Sequence, residues 1–310
     1  KKAAASKKTS TKSASAVSKK ATPSKPPAKK RKKKDDSYAE NLDEDESDTD
    51  RFTVVGKIVQ APTTGRVPPG QISKNTLNFL AQLAKPECND REWFKLNEPV
   101  FRLAEKEWKA FLEELVPLVS EMDEEIPPLP PNDIIHRIYR DVRFSNDKTP
   151  YKRNFSASMS RTGRKGKFAG FRPGGSLLAA GVWAPEKDEL ANFRANVQRN
   201  PTPLRDVISA PAFVKLFGEA KPHPKGQRRN VFGNDDQLKV APKGVSKDHP
   251  DIDLLKLRSV AVVHQFSDKE VLKPDFNEEV VRVMAVVRPL VHLLNDMVSL
   301  PPEDEDEDEE

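Results

Sequence analysis

The sequence predicts an α+β domain: a single mixed domain with a central, mostly antiparallel sheet, packed by N- and C-terminal helices and flanked by disordered charged tails. Three observations predict it. Segments with apolar residues at helical spacing precede, separate and follow short runs rich in β-branched residues. These two kinds of segment do not alternate strictly, so a parallel sheet of βαβ units is disfavoured. Both ends of the 310-residue chain carry charge runs almost free of large apolar residues.

Residues 1–50 form a basic and then acidic tail. Lys1–Lys34 holds 14 Lys/Arg and no acid, and Asp35–Asp50 holds 9 Asp/Glu with only Tyr38 and Leu42 as large apolar residues. Residues 301–310 end in eight consecutive acids, Glu303–Glu310. Such segments bury too little apolar surface to offset the entropy of ordering. Residues 51–72 read as a linker, with Phe52–Gln60 a possible edge strand. The domain proper is expected over 73–300. The sequence opens on Lys1 rather than Met, so preceding residues are expected to be missing, and no secretory signal is visible.

Within the domain, Ser73 caps a helix carrying Leu77, Leu80, Leu83 and Ala84. Asp90 opens a second helical region whose apolar face is Phe101, Ala104, Trp108, Phe111, Leu112, Leu115 and Val119, with Pro99 and Pro117 expected to break or kink it. Ile134–Phe144 reads as a strand, Ser145–Pro150 as a turn, and Asn154–Ser160 and Ser176–Trp183 as further strands. Glu186–Asn200 is a helix opened by Pro185, residues 219–251 a long polar loop, and Leu257–Phe266 a buried strand. The last helix, Asp275–Leu300, aligns Phe276, Val280, Met284, Val287, Val291, Leu294 and Val298.

Charge is concentrated. Residues 51–302 carry 39 Lys/Arg against 31 Asp/Glu, whereas residues 137–172 alone carry 11 basic and 2 acidic residues. A local surplus of this kind marks an anion-facing surface. On the expected strand, Arg137, Asp141 and Arg143 share one face, and the turn returns Lys148 and Lys152 towards it. Guanidinium forks recognise phosphate or carboxylate, and lysines add mobile charge. Arg137, Arg143, Lys148 and Lys152 are therefore the anion-binding candidates. Arg140 falls on the apolar face and is read as structural, paired with Asp133, Asp147 or a helix carboxylate. Asp141 and Tyr151 are read as orienting groups. The cluster Lys29, Lys30, Arg31, Lys32, Lys33 and Lys34 fits a nuclear import signal, which points to the nucleus and to an import receptor as partner.

Other chemistry is poorly supported. Cys88 is the single cysteine, so neither a disulfide framework nor a cysteine zinc site is available. His136, His223, His249, His264 and His292 lack metal spacing, and no phosphate-binding loop or serine-nucleophile elbow occurs. No metal or other cofactor is expected. His249, in Asp248-His249-Pro250, is read as fixing a turn before a helix capped by Asp251 or Asp253. No apolar run is long enough to span a membrane. Trp93, Trp108 and Trp183 are expected in the core.

The segment Arg137-Ile138-Tyr139-Arg140-Asp141-Val142-Arg143-Phe144-Ser145-Asn146-Asp147-Lys148-Thr149-Pro150-Tyr151-Lys152 resembles the signature of domain-of-unknown-function family 2461, R-x-x-R-D-x-R-F-S-x-D-K-x-P-Y-K. Asn89–Phe94, Pro173-Gly174-Gly175, Gly181-Val182-Trp183, Asp248-His249-Pro250 leading to Asp253–Lys256, and Arg288-Pro289-Leu290 fit the same family. The resemblance covers roughly Leu77 to Val298 and implies no activity. It also implies a tyrosine-rich strand before Pro173, which this chain shortens by running Gly170-Phe171-Arg172 straight into it, through a reduced sheet or a faulty gene model.

Three readings stay open on these residues. The first is a nuclear anion-binding module with nucleic acid or a phosphorylated ligand as partner. The second is an enzyme on a phosphorylated or carboxylated small molecule, with Arg137, Arg143 and Lys148 clamping it and Asp141, Asp147 or His249 moving protons. The third is a scaffold whose cations are ion-paired internally.

Overall fold

A computed structural model describes residues 56–161, 170–171 and 174–299 of the chain, with Gly170 and Phe171 described by their backbone alone. The import cluster at 29–34, both charged tails and Arg164-Lys165-Gly166-Lys167 lie outside these residues. The expected edge strand falls partly outside as well. Its described part, 56–60, is irregular, and Val59 N–H donates to the Leu96 carbonyl at 2.9 Å instead of joining the sheet.

Helix α1, Lys74–Leu83, starts where Ser73 Oγ accepts the Thr76 N–H at 3.2 Å. Helix α2, Arg91–Leu96, starts where Asp90 Oδ1 accepts the N–H groups of Glu92 and Trp93 at 2.8 and 2.9 Å. Both caps satisfy N–H groups that the first helical turn leaves without a carbonyl. Helix α3, Glu98–Met122, buries the whole expected apolar face from Phe101 to Val119. Pro99 sits in its first turn, and the helix runs through Pro117 without ending. Pro117 and Glu113, four residues earlier, are both exposed, so water takes the carbonyl that lacks an N–H partner.

Glu107 ties α1 to α3 from inside. Its Oε2 accepts Ser73 N–H and Oγ at 3.2 and 2.7 Å and Thr76 Oγ1 at 2.5 Å. A carboxylate at 9 % exposure is tolerated because these donors replace its water.

After helix α4, Pro131–Ile134, come strands β1, Ile135–His136; β2, Phe155–Ala157; β3, Gly170–Phe171; and β4, Ser176–Val182. Helices α5, Lys187–Arg199; α6, Thr202–Ser209; α7, Pro211–Phe217; and α8, Ile252–Leu255 lead to strand β5, Val260–Phe266. Helices α9, Asp268–Val271, and α10, Phe276–Ser299, complete the described elements. The sheet is an antiparallel meander in chain order, β1-β2-β3-β4-β5. Its longest ladder pairs β4 with β5 from Ser176↔Phe266 to Val182↔Val260. Gly181 is required there: at φ +118° a Cβ would stand 2.2 Å from the Val260 carbonyl oxygen.

The α+β class holds, with α3 and α10 packed together and α10 against β4. Strand Ile134–Phe144 is corrected: regular pairing ends at His136. The strand at 170–171 is two residues long. On α10 the buried row is Phe276, Val280, Val283, Val287, Leu290, Leu294 and Met297, so Met284, Val291 and Val298 are only part-buried. Trp108 is buried in the core and Trp93 packs against its edge. Trp183 is half-buried, with the Arg228 guanidinium 5.8 Å from its ring.

Candidate functional site

The cationic segment forms a ribbon that extends the β1–β2 hairpin out of the sheet. Lys152 N–H donates to the Ile138 carbonyl at 2.7 Å and Arg140 N–H to the Pro150 carbonyl at 2.8 Å, around a Tyr139↔Tyr151 bridge. The residue sum of paired positions falls from 292 at His136↔Ser156 to 290 at Tyr139↔Tyr151, so the return arm carries two extra residues in a bulge. The outgoing arm keeps its alternation of faces to Arg140, and the loop at 141–149 is where the pattern predicted for the strand stops.

The stem of the ribbon is fixed to the helical layer by Asn89. Its side-chain oxygen accepts the Tyr151 N–H at 3.1 Å, while its amide donates to the Tyr151 carbonyl at 3.1 Å and the Leu83 carbonyl at 3.0 Å. A buried amide here does the work of a neighbouring strand. Phe94 stacks on Tyr151 with ring centroids 4.0 Å apart and planes 9° apart. Burial at this contact pushes the Tyr151 phenol up to about 12. The two segments Asn89–Phe94 and Tyr139–Tyr151 are thus one packed unit.

The loop is built from internal ion pairs. Arg140 Nη1 meets Asp147 at 2.8 Å and the Thr149 carbonyl at 3.0 Å, also touches the Thr149 hydroxyl, and its Nη2 donates to Ser145 Oγ at 3.3 Å. Arg143 grips Asp141 with Nε and Nη2 at 3.1 and 2.7 Å. Lys148 Nζ donates to the Val142 carbonyl at 3.0 Å, which closes the loop. The Arg143 side chain holds the Asp141 carboxyl down at about 2, helped by the Arg143 N–H and by Arg137. Asp147 is also held at about 2, chiefly by the N–H and hydroxyl of Thr149 and then by Arg140.

Arg137, Arg143 and Lys148 are exposed and Lys152 is part-buried. Arg137 and Arg143 flank Asp141, while Lys148 folds back on the loop. Phe144 stands beside them 94 % exposed, its ring 5.8 Å from the Arg143 guanidinium, and Tyr139 is 48 % exposed. His249 lies elsewhere; its Nδ1 accepts the Asp251 N–H at 3.0 Å, and Asp251 and Asp253 together grip Arg205 of α6.

A second feature was not visible from the sequence. A cavity of about 440 Å³ opens between α3, β2, β4 and α10, lined by Trp108, Leu112, Leu178, Phe266 and Val287, with Met284, Val291 and Val298 along one wall. None of Arg137, Arg143, Lys148 and Lys152 lines it. The clamp of Arg137, Arg143 and Lys148 that the enzyme reading needed therefore does not form in this pocket. At its rim, His292 Nε2 lies 3.0 Å from both oxygens of Asp123, and its Nδ1 lies 3.7 Å from Glu125. The two carboxylates face opposite ring nitrogens, so the trio shares no common centre for a metal. Asp123 and His292 are 169 residues apart, and no local spacing announces them. The one sequence signal was the apolar triplet Met284, Val291 and Val298, which belongs to the cavity wall rather than the buried core.

Comparison with known families matches residues 75–293 to the family described as conserved hypothetical protein (DUF2461). No curated protein and no solved structure matches the chain. The matched region contains the Asn89–Phe94 segment and the whole ribbon that it holds. The chain belongs to the conserved hypothetical protein family DUF2461.

Proposed function

We propose that the chain is a nuclear anion-binding module that holds single-stranded nucleic acid on the tip of the 137–152 ribbon. The observation that carries this reading is Phe144, 94 % exposed beside the Arg143 guanidinium. An apolar ring held in water on a cationic loop offers a base a stacking surface, and the guanidinium offers its phosphate a partner. The Arg143–Asp141 pair does not oppose this, because an ion pair with Arg143 77 % exposed is weakened by water and salt and a phosphate can replace the carboxylate. Lys152 and Arg137 add charge along the stem. The basic run at 29–34 would add non-specific phosphate contacts and recruit an import receptor. Backbone contacts of this kind read no sequence.

The test is titration of the full chain with labelled oligo-dT and with duplex DNA at two salt concentrations. Binding should weaken steeply with salt and favour the single strand. Phe144→Ala should remove about 1–3 kcal/mol from single-strand binding, the worth of one base–aromatic stack, with little effect on the duplex. Undetectable or salt-insensitive binding overturns the reading, as does a Phe144→Ala variant that binds the single strand unchanged.

A further inference from the structure

The cavity between α3, β4 and α10 has an apolar body and a charged rim, and the partners of its rim groups indicate what it accepts. Asp123 is the most buried rim carboxylate, and its oxygens are covered by His292 at 3.0 Å and by the Glu125 N–H at 3.2 Å. Glu125 lies against the other nitrogen of His292 at 3.7 Å, and Glu189 Oε2 accepts the Glu186 N–H at 2.7 Å in the cap of α5. Arg161 pairs with Asp296 at 3.6 Å and donates to Ser299 Oγ at 3.3 Å. Arg288 differs. It is exposed, its Nη1 donates to the Met122 carbonyl, and it has no carboxylate partner among the described residues. The Met122 contact leaves the rest of the guanidinium fork available to a bidentate acceptor.

The wall bears on the same question. Met284, Val291 and Val298 recur every seven residues on α10, are apolar, and face the cavity instead of the buried row. Apolar side chains held against open space lose both burial and packing partners, so a ligand that fills the space gains what the fold leaves unused. At about 440 Å³ the cavity falls inside the ~300–1,000 Å³ range of small-molecule sites.

We propose that this cavity binds a small amphipathic molecule with an apolar body and an anionic head, the body lying between α3, β4 and α10 and the head on Arg288. An amine head is disfavoured because His292 and the Glu125 N–H already cover Asp123. The proposal is independent of nucleic-acid binding at the ribbon, which shares none of the residues used.

Decanoate, decyl phosphate and decylamine, each titrated calorimetrically into the delipidated full chain, make the test. Saturable one-site binding is expected for at least one of the two anions, and which one binds separates a carboxylate from a phosphate head. Decylamine should neither bind there nor compete. Arg288→Gln, an exposed change that leaves the core untouched, should weaken the anion at least tenfold, and Arg288→Lys should restore part of the loss. Ala180→Leu, which narrows the cavity from β4, should abolish binding if that variant folds; the Arg288 series decides the question if it does not. Absence of binding by both anions, equal binding of decylamine, or an Arg288→Gln variant with unchanged affinity overturns the proposal.

Discussion

Asp141 and Asp147 are the two acids in a strongly basic stretch, and each is held ionised by a neighbour two residues further on. Both carboxyls sit at about 2, below the ordinary aspartate value of about 3.9. A folded-state pKa below the unfolded one means that the contribution is fully present above about 3.9 and is lost as pH falls through about 2. The loop should therefore stay ordered through mildly acidic pH and loosen between about 4 and 2. Carboxyl-carbon NMR should give both residues midpoints near 2. Arg143→Gln should raise the Asp141 midpoint and leave Asp147 in place, because Arg140 and Thr149 hold the latter. Equal movement of both would mean that the general positive field of the segment, and not these specific bonds, sets the values.

Among the elements, the helices were the most legible. The α3 face from Phe101 to Val119 is buried as its spacing requires, and Ser73 and Asp90 cap where short polar side chains precede apolar periodicity. The strand at Ile134–Phe144 was overextended because alternation reports which faces are apolar but cannot register a bulge or a loop held by its own ion pairs. The cavity was illegible for a different reason: Asp123, His292 and Arg288 meet only through the packing of α3 on α10. Prolines were also read too strongly as helix breakers. Pro117 lies inside the continuous helix α3 on an exposed face, as does Pro289 in α10, whose helix was expected to run through it. Each still lacks one helical hydrogen bond, so alanine should gain there. Offsetting a helix-interior proline cost of about 3 kcal/mol against the unfolded-state entropy that proline removes leaves about 2 kcal/mol per site. Denaturant unfolding of Pro117→Ala and Pro289→Ala measures this. A gain near zero would mean that water and helix curvature already compensate the lost bond.

For the molecule as a whole, the fold brings together Arg161 and Ser299, the described residues from which the basic and acidic runs continue along the chain. Arg161 opens the basic stretch that continues through Arg164, Lys165, Lys167 and Arg172, and its side chain reaches Ser299 and Asp296 at the end of α10. The acidic run Glu303–Glu310 begins four residues after Ser299, and four extended residues reach about 14 Å. Both charge runs thus start from neighbouring anchors, and attraction between them is intramolecular. The acidic run should then compete with any anion for the basic stretch, most strongly at low salt, where the Debye length exceeds this reach: about 30 Å at 0.01 M against about 8 Å at 0.15 M. Replacing the eight acids by Ser and Gly should raise the affinity for oligo-dT several-fold at low salt, and the gain should shrink as salt rises. A gain of the same size at both salt concentrations would point to steric shielding by the segment rather than its charge. No gain at either would show that the acidic run does not compete with oligo-dT.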